Sequence, residues 1–265
     1  MTQSASIGIT GTSQHGAPIH LRHLTMGDLA QALKRGVEDW LACHTAIPVL
    51  ALLAPVGGIL LAALAAAPSL TPFLFPICAG FALLGPLTSL WFAALSRARE
   101  LNGTATAEAA AAVFDTPRRI TIQRLGLLIV ALFLAWIATA GLIYQHTLGQ
   151  SGQAGGLSFF AAVFASPAGW SMLRIGCLVG FCFAITVLGV GFIAFPLALD
   201  RDVSVTQACG ASLRVLFGSP LVVLAWGALV AGLLAIGIVP VLLGLALVLP
   251  VLGHASWHIY RAVTS

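Results

Sequence analysis

Four long stretches of this 265-residue chain, 45–96, 125–173, 175–199 and 215–260, contain no Asp, Glu, Lys or Arg. In water, segments this long without charge would leave broad apolar surfaces exposed. In a bilayer they are what spanning helices require, because only a segment that satisfies its own backbone can cross hydrocarbon. The composition agrees: 59% of residues are hydrophobic and 8% charged, where a soluble domain carries roughly 25% charged residues. With a mean hydropathy of +1.02, the chain reads as an all-α integral membrane protein.

A spanning helix needs about 20 residues at 1.5 Å rise. Segments 45–96 and 215–260 each hold two such spans. One more fits near 123–146 and one near 174–199, so the count predicts a bundle of six. Eleven of the twelve basic residues (Arg22, Lys34, Arg35, Arg97, Arg99, Arg118, Arg119, Arg124, Arg201, Arg214 and Arg261) fall before the first span, at 97–124, at 201–214 or at the C-terminal end. The alternate loops, 67–71 and 237–240, carry none. The positive-inside rule then places both termini in the cytoplasm, which requires an even number of spans. The net charge of +4 is thus spent on topology and gives no reason to expect nucleic acid. The grouped Arg97, Arg99, Arg118 and Arg119 are expected to meet anionic headgroups of the lipid bilayer.

Residues 1–24 are polar and lack an apolar core of signal-peptide type, so they read as a disordered cytoplasmic tail without a cleaved signal. Residues 25–263 form the transmembrane domain. Within it one unit recurs: an amphipathic segment, a span, a tight turn and a returning span. Ahead of span one, Leu29, Leu33, Val37, Trp40 and Leu41 share a helical face; ahead of span five, Val205, Cys209, Leu213, Leu216 and Phe217 repeat the spacing. Asp28, Gln31, Lys34, Arg35, Glu38 and Asp39 occupy the opposite face of the first segment, and Thr25 with Asp28 has the form of a helix-starting cap. The returning spans also match, Gly80 to Leu87 aligning with Gly244 to Val251, each with an arginine eleven residues beyond its proline (Pro86 with Arg97, Pro250 with Arg261). Residues 106–114 form a weaker third segment. The repeat units run over about 25–100, 104–202 and 203–262. Pro55, Pro86, Pro196 and Pro250 are expected to kink their spans.

Candidate chemistry concentrates at Gly253-His254-Ala-Ser-Trp257-His258-Ile-Tyr260-Arg261. Histidines four apart lie on one helical face. His254 and His258, with His44 at the start of span one, form a candidate cofactor site whose ligand would be a haem or a quinone. The competing reading is structural: Trp, Tyr, His and Arg together make up an interfacial belt. Imidazoles facing lipid would leave ring N–H groups unpartnered at about 1–3 kcal/mol each, so the pair is expected to point into the bundle. Cys43, Cys78, Cys177, Cys182 and Cys209 include no Cys-x-x-Cys and suggest neither a disulfide framework nor a metal site. No phosphate-binding loop, nucleophile elbow or zinc-protease motif is present in the sequence, so no catalytic residue is assigned.

Three stretches, 80–86, 196–202 and 249–261, resemble a family of predicted bacterial integral membrane proteins of unknown function, some of whose members carry a cytochrome c oxidase label. The resemblance covers about residues 24–263 and implies a bacterial inner-membrane protein. Taken at its word, the oxidase label would imply an accessory or assembly partner of a respiratory oxidase. The chain has too few histidines for the catalytic subunit. The expected function is therefore a structural or accessory subunit without catalysis of its own. A small-molecule or lipid transporter built from the repeats, and a haem- or quinone-binding redox protein, are the alternatives.

Overall fold

The computed structural model describes residues 20–44, 59, 63, 67–151, 157–238 and 244–264, and all regular structure among them is helical. The expected first span, with its Pro55, lies outside the described residues except for two isolated positions. So do residues 1–19 and most of the turn before the last helix.

Helix α1 spans Met26–Cys43. The Thr25 hydroxyl accepts from the Asp28 backbone N–H while the Asp28 carboxylate accepts from the Thr25 N–H, so two otherwise orphaned donors are satisfied reciprocally. Next come α2 (Thr71–Leu83), α3 (Gly85–Thr88) and α4 (Leu90–Asn102). Pro86 explains their interruption: it has no N–H to give, and its ring crowds the carbonyl one turn earlier. The arms 71–80 and 85–102 meet at 56°.

The short α5 (Ala107–Ala111) is capped by Thr106, and the long α6 (Arg118–His146) follows. Between the spans expected near 123–146 and 174–199, part of the connection is helical, as α7 (Leu157–Ala165). Ser166 and Pro167 then restart the chain as α8 (Pro167–Gly191), earlier than the expected start near 174. The Ser166 hydroxyl accepts from the Gly169 N–H, and proline in the first turn loses no intrahelical bond.

Pro196 acts as Pro86 does. It separates α8 from α9 (Ala194–Asp200), and the backbone N–H of Ile193 at the break is satisfied by the Ser212 hydroxyl at 3.0 Å. The chain ends with α10 (Val205–Gly218), α11 (Pro220–Ile238) and α12 (Leu245–Thr264). Three described segments are long and apolar enough to span a membrane: Arg118–His146, Pro167–Asp200 and Pro220–Gly237. The bent α2–α4 pair would make a fourth.

The interior is organised around α12, which carries Pro250 without a break and is buried along most of its length. Helix α1 lies against it so closely that a Cβ on Gly36 would sit 2.7 Å from the Val251 carbonyl oxygen. Only glycine permits that approach. On another face, Gly253 makes room for the Phe92 ring of α4.

The two amphipathic segments are both helices, and the face each buries follows its apolar stripe only in part. In α1 the buried positions are Leu29, Ala32, Gly36 and Asp39, while Val37 and Leu41 are exposed. In α10 they are Ala208, Ala211, Ser212, Val215 and Leu216, while Phe217 is exposed. Small residues face the neighbouring helices because dispersion contacts reward close approach, and in lipid a large apolar side chain gains nothing by turning inward. In α8, Gly180 packs on Trp136 of α6, whereas Gly176, four residues earlier, faces open space.

Candidate functional site

Asp39 belongs by sequence to the polar face of α1, yet it is only 5% exposed. An isolated carboxylate in such a place would be costly, so it must be surrounded by donors. Two come from α4 and one from α12. One turn of α4 presents Ser96 and Arg99 on the same side, and both donate to the Asp39 carboxylate. From α12 the His258 Nε2–H donates to Asp39 Oδ2 at 2.8 Å. Burial pushes the Asp39 carboxyl up, but His258, Ser96 and Arg99 outweigh it and hold the group at about 2.

The network extends one residue deeper. Ser96 has one hydroxyl proton, and Asp39 takes it. The 2.8 Å contact between Ser96 Oγ and His254 Nδ1 therefore has the histidine donating, which places the His254 proton on Nδ1. His254 is fully buried, with the Phe92 ring 5.6 Å away. Its Nε2 makes no hydrogen bond among the described residues.

A Ser, a His and an Asp in contact invite comparison with a nucleophilic triad, but the order of bonds is wrong. The hydroxyl donates directly to the carboxylate instead of to an imidazole, and Ser96 is 1% exposed, out of a substrate's reach.

Two further clamps flank this cluster. The Trp257 indole donates to Glu100 Oε2 at 2.7 Å, and Arg261 pairs with Glu100 Oε1 at 2.9 Å. The Tyr260 hydroxyl donates to Asp200 Oδ2 at 2.6 Å, tying α12 to the end of α9. Arg97 approaches the same carboxylate at 3.7 Å, an ion contact too long for a hydrogen bond. Trp257 and Tyr260 are buried, which is not how a headgroup belt presents its aromatics. Asp200, at the end of α9, is the anchor for two other helices.

The arginines expected at lipid headgroups are largely engaged inside the protein. Arg97 faces Asp200, Arg99 binds Asp39, and Arg118 donates to the Leu199 carbonyl at 3.0 Å. A long helix-borne guanidinium near the membrane surface takes an internal acceptor where one lies within reach.

Of the candidate cofactor residues, His254 and His258 enter one network through Ser96 and Asp39. His44 does not join it. It is exposed, in the left-handed conformation that ends α1, and its Nδ1 contacts the Ala42 carbonyl of its own helix. Among the described residues no three His, Cys, Asp or Glu side chains are grouped as a metal would need. Sequence reasoning missed Asp39 and Ser96 as partners of the histidines, Arg99 as a partner of Asp39, and Glu100 as the partner of Trp257 and Arg261. The one available signal was the helical spacing of Ser96, Arg99 and Glu100 at the end of α4, ambiguous without knowledge of the helix it faces.

Helices of this length and apolarity, joined by buried ionic contacts, define an integral membrane protein. Residues 74–200 match a family model described as "Predicted integral membrane protein (DUF2189)", of unknown function. Over those residues the match agrees with the family resemblance read from the sequence, and it carries no cytochrome c oxidase label. No curated protein and no solved structure matches the chain.

Proposed function

We propose that this protein is a structural or accessory subunit of the bacterial inner membrane, without catalysis of its own, that a respiratory oxidase is one partner to test, and that it has six spans in three related units with both termini cytoplasmic. The observation that carries the functional reading is the use of the polar groups gathered on α12. His258, His254, Trp257, Tyr260 and Arg261 each hold a neighbouring helix through Asp39, Ser96, Glu100 or Asp200. Such a set fixes the relative positions of helices, as a scaffold for a partner requires, and spends on packing the groups a reaction would need free.

The unit reading is supported by the fronts of the three units. Thr25, Thr106 and Ser204 each cap a helix through the hydroxyl, and the first and third complete the same reciprocal box, with Asp28 and Gln207. Reporter fusions test the topology. Those at Ser69 and Gly152 should read periplasmic and those at Gly103 and Ser265 cytoplasmic; a cytoplasmic signal at Gly152 overturns it.

One observation favours a second reading, a haem or quinone contact at the histidines: the unbonded Nε2 of His254. A ligand there would have to displace the Phe92 ring, and His44 would have to leave its own helix end. Gentle detergent extraction separates the readings. Mass spectrometry of stoichiometric co-purifying proteins tests the accessory role, and the absorption spectrum of the same sample tests the cofactor. Replacing both His254 and His258 with Gln should leave spectrum and metal content unchanged. Loss of a stoichiometric chromophore in that variant would overturn the structural reading.

A further inference from the structure

A second polar feature lies away from the α12 network, where the segment before α1 crosses the α10–α11 junction. Three contacts hold it there: the Arg22 N–H donates to the Val263 carbonyl at 3.0 Å, the His23 Nδ1–H to the Gly218 carbonyl at 2.8 Å, and the Leu24 N–H to the Ser219 hydroxyl at 2.9 Å. These residues, which composition assigns to the tail, are thus packed in place. Between the segment and the junction is a cavity of about 270 Å³, lined by His20, Arg22, His23, Arg214 and Ser219 among others, with no acidic side chain in its wall.

The donors face it in usable form. Arg214 makes no hydrogen bond or ion pair among the described residues. The Ser219 oxygen accepts from Leu24, which leaves its own O–H to donate. Arg22 is held in position by two bonds to Asp28, at 2.8 and 3.1 Å, a pairing that also offsets part of its charge.

The setting identifies the anion. Ser219 immediately precedes α11, an apolar segment long enough to span. On either side of it, at the end of α10 and the start of α11, Phe217 and Leu221 are 77% and 79% exposed. A free anion has no use for that apolar surface beside its site; a lipid does.

We propose that this cavity binds the phosphate of an anionic phospholipid headgroup, with the acyl chains lying over Phe217 and Leu221. Arg214 and Arg22 would supply charge-assisted hydrogen bonds, and Ser219 a neutral one. The site is independent of the accessory reading, and either can fail alone.

The test uses the purified full-length chain in neutral detergent, titrated with phosphatidylglycerol, phosphatidylcholine or inorganic phosphate while the thermal midpoint is followed. Phosphatidylglycerol should raise the midpoint saturably, and the other two should not. Arg214→Gln should weaken the phosphatidylglycerol effect about tenfold, the loss expected for one charge-assisted bond, with the lipid-free midpoint unchanged. His20→Gln, at another exposed position in the wall, should weaken it less, and Arg124→Gln, exposed but outside the wall, should not alter it. Equal loss in Arg124→Gln would reduce the effect to general surface charge. A full response in both Arg214→Gln and His20→Gln would remove the site, and equal potency of inorganic phosphate would remove the lipid.

Discussion

Helices α12 and α6 are opposite solutions to the same environment. Helix α6 passes every test of a spanning segment, yet most of its apolar window faces outward, with Leu127 71% exposed and Leu134 and Leu142 beside it on the surface. Helix α12 is not among the segments that pass that test: its C-terminal half carries two histidines, a tryptophan, a tyrosine and an arginine, and the helix is buried nearly throughout. In a soluble domain the order would be reversed. In lipid an apolar face gains nothing by turning inward, so position in the bundle is decided by close backbone approach and by polar groups that must find one another. A helix that presents a long apolar window is therefore at the edge, and the helix whose polar side chains bind α1, α4 and α9 is at the centre.

Asp39→Ala strikes the central arrangement hardest. It leaves His258, Arg99 and Ser96 donors without their acceptor and should cost about 3–5 kcal/mol, read as a lowered thermal midpoint in detergent. A midpoint equal to that of the unsubstituted protein would mean the network contributes no stability. The edge helix offers a contrast within two residues: Leu125→Ala, at a buried position, should cost about 2–5 kcal/mol, whereas Leu127→Ala should stay within about 0.5 kcal/mol. Equal effects at the two positions would mean that the outward face of α6 is covered, by a partner or a second copy.

Acid provides a finer probe of the same comparison. The folded Asp39 carboxyl is held at about 2, below an unfolded value of about 4. Its contribution is therefore complete above about pH 4 and is lost as pH falls towards 2, when the folded group protonates. Asp28, lowered first by its bond to Arg22, adds to the same acid limb. Asp39→Asn should flatten that limb without abolishing it, and an unchanged profile would count against a charged Asp39. Smallest of all, Trp257→Phe removes the indole donor to Glu100 but leaves Arg261 to pair with that carboxylate. A loss of about 1 kcal/mol is expected, and a larger one would show the indole to be the main tie between α4 and α12.

Much of this was legible from residue order alone. Charge-free runs require bilayer and helix together, because hydrocarbon offers the backbone no partner. The Thr25–Asp28 cap is local chemistry and could be read off four residues, and the breaks near Pro86 and Pro196 follow from a missing N–H and a ring. The direction in which each helix faces was not legible. The apolar stripe of α1 did not say which residues would meet the bundle: Leu29 is buried with Ala32, Gly36 and Asp39, because Gly36 fits the backbone of α12 and Asp39 meets donors from two helices remote in sequence. His254 and His258 were visible as a pair four residues apart, but Ser96 and Asp39, which give them their roles, lie more than 150 residues away. Membrane, helix and cap were set by the sequence, since each follows from the solvent or from neighbours within one turn. Which polar groups meet, and so which helix is central, was decided only by tertiary packing, because an acceptor's worth depends on donors that other helices bring to it.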